Sequence, residues 1–295
     1  MNNSTSDLNY FSIGNKEISP HENTITNGQG SLGLVRSSFF PEFPSIGDFE
    51  KIPRDFNWAQ DTNRTKNVIR IDPTGFMETE TRVHDTDDRE EVFSIQYPYN
   101  CICLLEIEGF NGTNRQSTGF FVSPKCILTA GHCVNDPITK NWATRIRIIP
   151  CALKNLEPFG SEISTKFRSV SGWIKNRDYN YDYGAIILPN ENLFNRIKAY
   201  LAFEKAGTEK KIEIAGYPTN KGKTLFTSED QIQRKSQNKL FYLLDTYHGN
   251  SGSPIMVDFQ SNKTVIGIHT YGGNPNSGIL LSQGVINRIQ EWMML

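Results

Sequence analysis

From Val83 onward the chain carries a series of short apolar runs, broken by Gly, Pro, Asn and Asp. They occupy residues 101–107, 119–122, 126–128, 146–149, 185–188, 211–215, 240–244, 254–257 and 264–268. Runs this short have strand length rather than helix length, and the turn residues between them favour strand following strand. The pattern therefore predicts an all-β domain, closed as a barrel or stacked as a sandwich. It changes only at the end. Val285, Ile286, Ile289, Trp292 and Met293 recur at helical spacing after Ser282, a good N-cap residue, so a C-terminal helix is expected.

Residues 1–81 are rich in Asn, Ser, Thr, Pro and Gly and lack sustained apolar periods, which reads as an N-terminal extension or pro-segment ahead of a folded domain at 82–295. The formal charge is 31 − 32 = −1, with both signs mixed, so no nucleic-acid or anionic-membrane partner is expected. No apolar stretch approaches the roughly 20 residues of a membrane span. The start, Met-Asn-Asn-Ser-Thr-Ser-Asp, has neither the basic end nor the apolar centre of a secretory signal.

The five cysteines are Cys101, Cys103, Cys126, Cys133 and Cys151; the odd number leaves at least one unpaired within the chain. No Cys-x-x-Cys occurs, which argues against zinc or redox chemistry. Cys101 and Cys103 would share a face if their run is a strand, as small apolar core residues. The histidines, at 21, 84, 132, 248 and 269, show no pair at ligand spacing, so neither a metal nor another cofactor is expected.

Three segments carry chemistry. Thr129-Ala130-Gly131-His132-Cys133 places a histidine among small residues just after an apolar run. Asp182 stands at the entrance to Ala185-Ile186-Ile187-Leu188, where a carboxylate becomes buried and needs a partner. Gly249-Asn250-Ser251-Gly252-Ser253-Pro254 can form a tight turn that exposes Ser251 and aims the amides of Gly249 and Ser251 at one point, an oxyanion hole. Singly, each reads as an ordinary loop. Together they supply a hydroxyl nucleophile (Ser251), a base (His132) and a carboxylate that orients the base (Asp182). Asp178 and Ser253 are weaker candidates: no apolar strand follows the first directly, and the second precedes Pro254.

These segments resemble the His, Asp and Ser motifs of chymotrypsin-like serine proteases, most of all those of the bacterial glutamyl endopeptidase branch. Asp87-Asp88-Arg89, Tyr97-Pro98-Tyr99 and Ala215-Gly216-Tyr217-Pro218 agree as well, and the resemblance covers residues 82–295. It implies a trypsin-like fold of two antiparallel six-stranded β-barrels, about 82–195 and 196–295, with the active site between them. It also implies a secreted monomer that acts on protein or peptide substrates. Thr246 and His269 would bind a Glu (or Asp) side chain at P1, the residue before the cut bond. Thr270, Tyr271 and Gly272 would pair with the substrate backbone. Asp245 is then expected to point away from the pocket.

The resemblance further implies processing of a zymogen near Arg82 or Val83, with cutting after Glu80 as one route. The chain departs from the pattern at Ser117, where many relatives bridge a Cys to the neighbour of the catalytic His; Cys126 is the other possible partner for Cys133. His248 stands where relatives commonly have Gly, either as a solvent-facing loop residue or as one that tunes the oxyanion turn. Two alternatives stay open: a serine protease of different P1 specificity, and a catalytically silent homologue that binds peptides.

Overall fold

The computed structural model describes residues 87–109, 112–260 and 262–295, together with the backbone of Tyr10–Phe11. Apart from that pair, the extension at 1–81 and the processing region at Glu80–Val83 lie outside the described residues. Among the described residues the strands of the first half are β1 (Tyr10–Phe11), β2 (Glu90–Glu91), β3 (Ile102–Glu108), β4 (Asn114–Phe121), β5 (Cys126–Thr129), β6 (Arg145–Pro150), β7 (Glu162–Ser164), β8 (Phe167–Val170) and β9 (Gly184–Ile187). Those of the second half are β10 (Ala202–Phe203), β11 (Lys211–Gly216), β12 (Phe226–Lys235), β13 (Lys239–Tyr242), β14 (Pro254–Phe259), β15 (Asn262–Tyr271) and β16 (Asn276–Leu280). The helices are α1 (Gly131–Val134), α2 (Ser171–Ile174), α3 (Asn192–Ile197) and α4 (Gln283–Met293). None of these is long and apolar enough to cross a membrane.

The strands form two sheets. In the second, β15, β14, β11, β12, β13 and β16 pair in that order, and β16 pairs back with β15, which closes a six-stranded barrel. Full closure removes exposed edges. The first sheet runs β8–β9–β5–β4–β3–β6–β7, with β1 beside β8. This is a half-barrel rather than a second closed barrel: its two ends, β7 and β8, are joined by the short link 165–166 but share no ladder. Ser164, the last residue of β7, spans the gap by donating its hydroxyl to the carbonyl of Ile187 at 2.7 Å.

The interior of the second barrel is apolar and includes Ile212, Ile214, Leu240, Tyr242, Leu244, Ile255, Val257 and Ile266. The core of the first sheet continues onto Met256, Val265, Ile268 and Ile279, and onto Val285, Ile286, Ile289 and Trp292 of α4. Each such side chain contributes about 1.5–3 kcal/mol when fully buried. Ser282 caps α4 by accepting from the Val285 amide, as its position predicts. The Trp292 ring lies 5.7 Å from that of Tyr183, so the helix packs against the segment that carries Asp182.

All five cysteines are buried free thiols. Burial holds Cys101 and Cys103 well above the usual thiol range and pushes Cys126 and Cys151 up to about 12. Thiols in that state are poor nucleophiles. Cys101 ends a 3-10 turn, Tyr99–Cys101, and only Cys103 lies on β3.

Candidate active site

Strand β5 delivers the histidine. Ala130 is extended and precedes α1, the single turn that carries His132. Gly131 is required by its surroundings: a Cβ there would lie 2.8 Å from Asp182 Oδ1 and 2.9 Å from the Trp173 ring. The absence of that carbon lets the carboxylate of Asp182, 0% exposed, reach His132 twice. Oδ1 accepts from the His132 backbone N–H at 2.7 Å, and Oδ2 lies 2.7 Å from Nδ1. Burial acts to lower the pKa of the ring, but the Asp182 charge outweighs it and holds His132 well above the usual imidazole value. Asp178 takes a different part, accepting from the Asn180 amide to cap the turn Tyr179–Tyr181.

The serine comes from the other sheet, on a turn with two left-handed glycines, Gly249 at φ +96° and Gly252 at φ +86°. A Cβ on Gly252 would stand 2.1 Å from the Thr118 carbonyl, so only glycine fits. Strand β4 holds this turn by its carbonyls. The Gly249 carbonyl accepts from Thr118 Oγ1 at 2.7 Å; that of Ser251 accepts from Ser117 Oγ at 2.7 Å and from the Thr118 amide at 3.0 Å. The amides of Gly249 and Ser251 share peptide planes with the carbonyls of His248 and Asn250, which accept from the Thr219 and Ser253 amides; these two amides are the candidate oxyanion donors. Ser251 Oγ donates to the Thr270 carbonyl at 3.4 Å. Ser253 is fully buried with its hydroxyl against Gly216, which removes it as a competing nucleophile.

His132 packs between two aromatic rings, Trp173 at 6.3 Å and Tyr271 at 5.7 Å, and Tyr271 meets Tyr179 at 5.0 Å. The β14–β15 ladder ends at Pro254↔Ile268, and beyond it Ser253 and His269 still exchange a backbone bond. Thr270, Tyr271 and Gly272 follow at the edge of that pairing. His269 is buried, with Nδ1 2.5 Å from the Tyr242 hydroxyl. Thr246 is also buried and donates to Asn276 Oδ1 at 3.0 Å. Asn276 is fixed in turn by the Leu244 carbonyl and the Gly273 amide.

Tyr242, Asn276, Ser117 and Thr118 thus support the site, and the motifs do not single out the first two or Thr118. Sheet register joins them to it: Tyr242 pairs with Asn276 between β13 and β16. The Asp245 carboxylate accepts from the Asp88 amide at 3.1 Å. His248 is half-buried against the Tyr247 ring.

Cys133 Sγ and Ser117 Oγ lie 2.9 Å apart, so a thiol–hydroxyl contact stands where many relatives have a bridge, and Cys126 is a separate free thiol. Among the described residues, the group of acidic, His or Cys side chains that comes nearest to holding a metal is Asp87, Asp88 and Asp245. Asp87 there pairs with Arg89 and Lys221, which hold its carboxyl well below the usual range.

Comparison with known proteins places the fold in a family. The trypsin family matches residues 96–293. An extracellular metalloprotease of Bacillus subtilis is 32% identical over 240 residues, 78% of this chain and 74% of that protein. A glutamyl endopeptidase of Bacillus licheniformis is 32% identical over 222 residues, 70% and 67% of the two chains. A solved structure of a Glu endopeptidase in complex with MPD superposes with a TM-score of 0.66 at 27% identity, covering 72% of this chain and 100% of the other. The first relative is named for a metal, whereas the group of ligand-type side chains described above does not include His132. The chain belongs to the trypsin family and is a chymotrypsin-like serine protease.

Proposed function

We propose that the protein is an endopeptidase that cuts after Glu or Asp through an acyl-enzyme on Ser251. Ser251 Oγ attacks the substrate carbonyl carbon while its proton passes to His132 Nε2. The carbon–nitrogen bond then breaks, and the departing amine takes that proton. Water, deprotonated in turn by His132, releases the acid product and restores Ser251. Asp182 keeps the other ring proton on Nδ1, so that Nε2 is free to accept. The amides of Gly249 and Ser251 face the developing oxyanion, each worth roughly 3–4 kcal/mol. The single observation that carries this reading is the double engagement of His132 by both oxygens of the buried Asp182.

The acidic preference rests on His269. Burial keeps the Tyr242 hydroxyl protonated far above its ordinary range, so it donates to Nδ1 of His269. Nε2 then carries the proton and can donate to a substrate carboxylate. One observation favours a protease of different P1 preference. The only proton of Thr246 is already given to Asn276, so this hydroxyl must turn before it can donate to a carboxylate.

The test is cleavage-site mapping by mass spectrometry on a mixed peptide library, with the wild-type chain and Ser251→Ala. Cuts after Glu or Asp that fall in rate by about 10⁴–10⁶ in the variant are expected. Cuts after basic or apolar residues would leave the nucleophile assignment standing and remove the acidic pocket. Undiminished cleavage by the variant would remove Ser251.

A further inference from the structure

Three basic side chains lie almost wholly inside the described structure: Arg89, Arg288 and Lys239. Arg89 is paired with Asp87, and Arg288 with Glu291. Lys239 has no carboxylate within ion-pair reach among the described residues. It is 9% exposed, its Nζ lies 3.4 Å from Ser277 Oγ, and the same ammonium stands 4.8 Å from the centre of the Tyr271 ring. One long hydrogen bond and one ring face leave most of the donor capacity of an ammonium unused. A buried charge in that condition opposes folding unless something compensates it.

The position of Lys239 shows what could do so. It belongs to β13, beside Ile279 on β16, and Ser277 of β16 pairs in turn with Tyr271. The far neighbours of Tyr271 are His132 and Tyr179. Lys239 is therefore one aromatic ring away from the candidate base, on the side of the cleft that β15 lines. Burial lowers the Lys239 pKa, and the charges of Asp182 and Asp178, beyond pairing distance, offset that only in part, so the ammonium still lacks a full counter-charge.

We propose that Lys239 forms a binding subsite, under Tyr271, for an acidic side chain of the substrate on the N-terminal side of the cut bond. This rests on the reading above, in which an extended substrate pairs along Thr270–Gly272 with its P1 side chain toward His269. Alternate residues of an extended strand face alternate sides. The side chains turned away from the P1 pocket, and so available to Tyr271 and Lys239, are those of P2 and P4. A Glu or Asp there supplies the missing counter-charge, and substrate selection then has two acidic determinants, one at His269 and one at Lys239.

The experiment compares peptides that differ only by Glu or Gln at each position from P1 to P4, cut by wild type, Lys239→Met and Lys239→Arg. The expected result is a preference for Glu of about tenfold in kcat/KM at P2 or P4, weakened by salt, as for a charge-assisted contact. It should vanish in Lys239→Met, persist in Lys239→Arg, and leave the ratio at P1 unchanged. Met is close in size and removes the uncompensated charge, so Lys239→Met should melt no lower than wild type. Equal rates for Glu and Gln at P2 and P4 in wild type would overturn the proposal, as would a preference that survives Lys239→Met. The same peptide pairs are also bound to Ser251→Ala, with and without Lys239→Met, and followed by fluorescence anisotropy. If no peptide is cut, the protease reading fails, and a Glu preference in binding that depends on Lys239 still decides this subsite.

Discussion

Ser117 and Cys133 define a test of how β4 and α1 are joined. Their side-chain oxygen and sulfur lie 2.9 Å apart, so Ser117→Cys should bring two sulfurs within bonding reach. The bridge would close a loop of 133 − 117 = 16 residues. The chain-entropy relation then gives about 3 kcal/mol of stabilisation. Against this stands the bond from Ser117 Oγ to the Ser251 carbonyl, which the variant gives up. Its loss costs about 1 kcal/mol, because the Thr118 amide still serves that carbonyl. The net gain of about 2 kcal/mol should raise Tm by about 4–8 °C for a domain of this size. Thermal melts with and without reductant measure it, and thiol titration in denaturant counts the bridge. Wild type has five thiols, while the oxidised variant, with six cysteines, should show 6 − 2 = 4. Six reactive thiols and a melt indifferent to reductant would show that these side chains are not neighbours, and with them would fall the description of how β4 supports the Ser251 turn.

Asp182→Asn should lower kcat by about 10⁴ with little change in KM, because an amide NH₂ facing Nδ1 forces the ring proton onto Nε2, where Ser251 needs an acceptor. His132 must be neutral to accept a proton, and Asp182 raises its pKa above the usual 6.5, so wild-type kcat/KM should rise with pH through a midpoint above 6.5. The residual activity of Asp182→Asn should show that midpoint shifted down; an unchanged midpoint would detach Asp182 from the titration. Tyr242→Phe removes the hydroxyl that sets the His269 tautomer, and the ratio of kcat/KM for Glu over Gln at P1 should fall about tenfold. A ratio untouched by this change would place the acidic preference elsewhere than on His269.

Strands buried on both faces announce themselves in the sequence. β3, β5, β9, β11 and β14 coincide closely with the apolar runs, because successive strand residues face opposite sides and a strand covered on both needs apolar residues in succession. β12 does not. Its ten residues, Phe226–Lys235, are mostly polar, and its burial alternates between exposed and half-covered. It is a strand because β11 and β13 satisfy its backbone on both sides. β16 begins Asn-Ser-Gly, which reads locally as a turn, yet register with β13 and β15 makes it the strand that closes the barrel. The same division holds within the site. His132, Asp182 and Ser251 are legible because each needs small neighbours at fixed offsets, as at Gly131 and Gly252. Tyr242, Asn276 and Lys239 come to the cleft only through pairings between strands distant in sequence, and no local pattern marks those pairings.

The two sheets divide the chemistry between them. The first provides the histidine and its carboxylate, locked to each other by two short bonds. The second provides the serine turn and the walls of the pocket. Whether the hydroxyl faces the base therefore depends on what joins the sheets at this point, and the joint is Ser117–Thr118 on β4. Thr118 Oγ1 donates to the Gly249 carbonyl and accepts from the Tyr217 amide, while its own amide donates to the Ser251 carbonyl. The Thr118 carbonyl accepts from Thr129 Oγ1, at the end of the strand that leads to His132. One residue with no part in the chemistry thus contacts the serine turn on one side and the approach to the histidine on the other. The left-handed glycines of the turn are held against this threonine, and the wide sequence separation of the three motifs is bridged there.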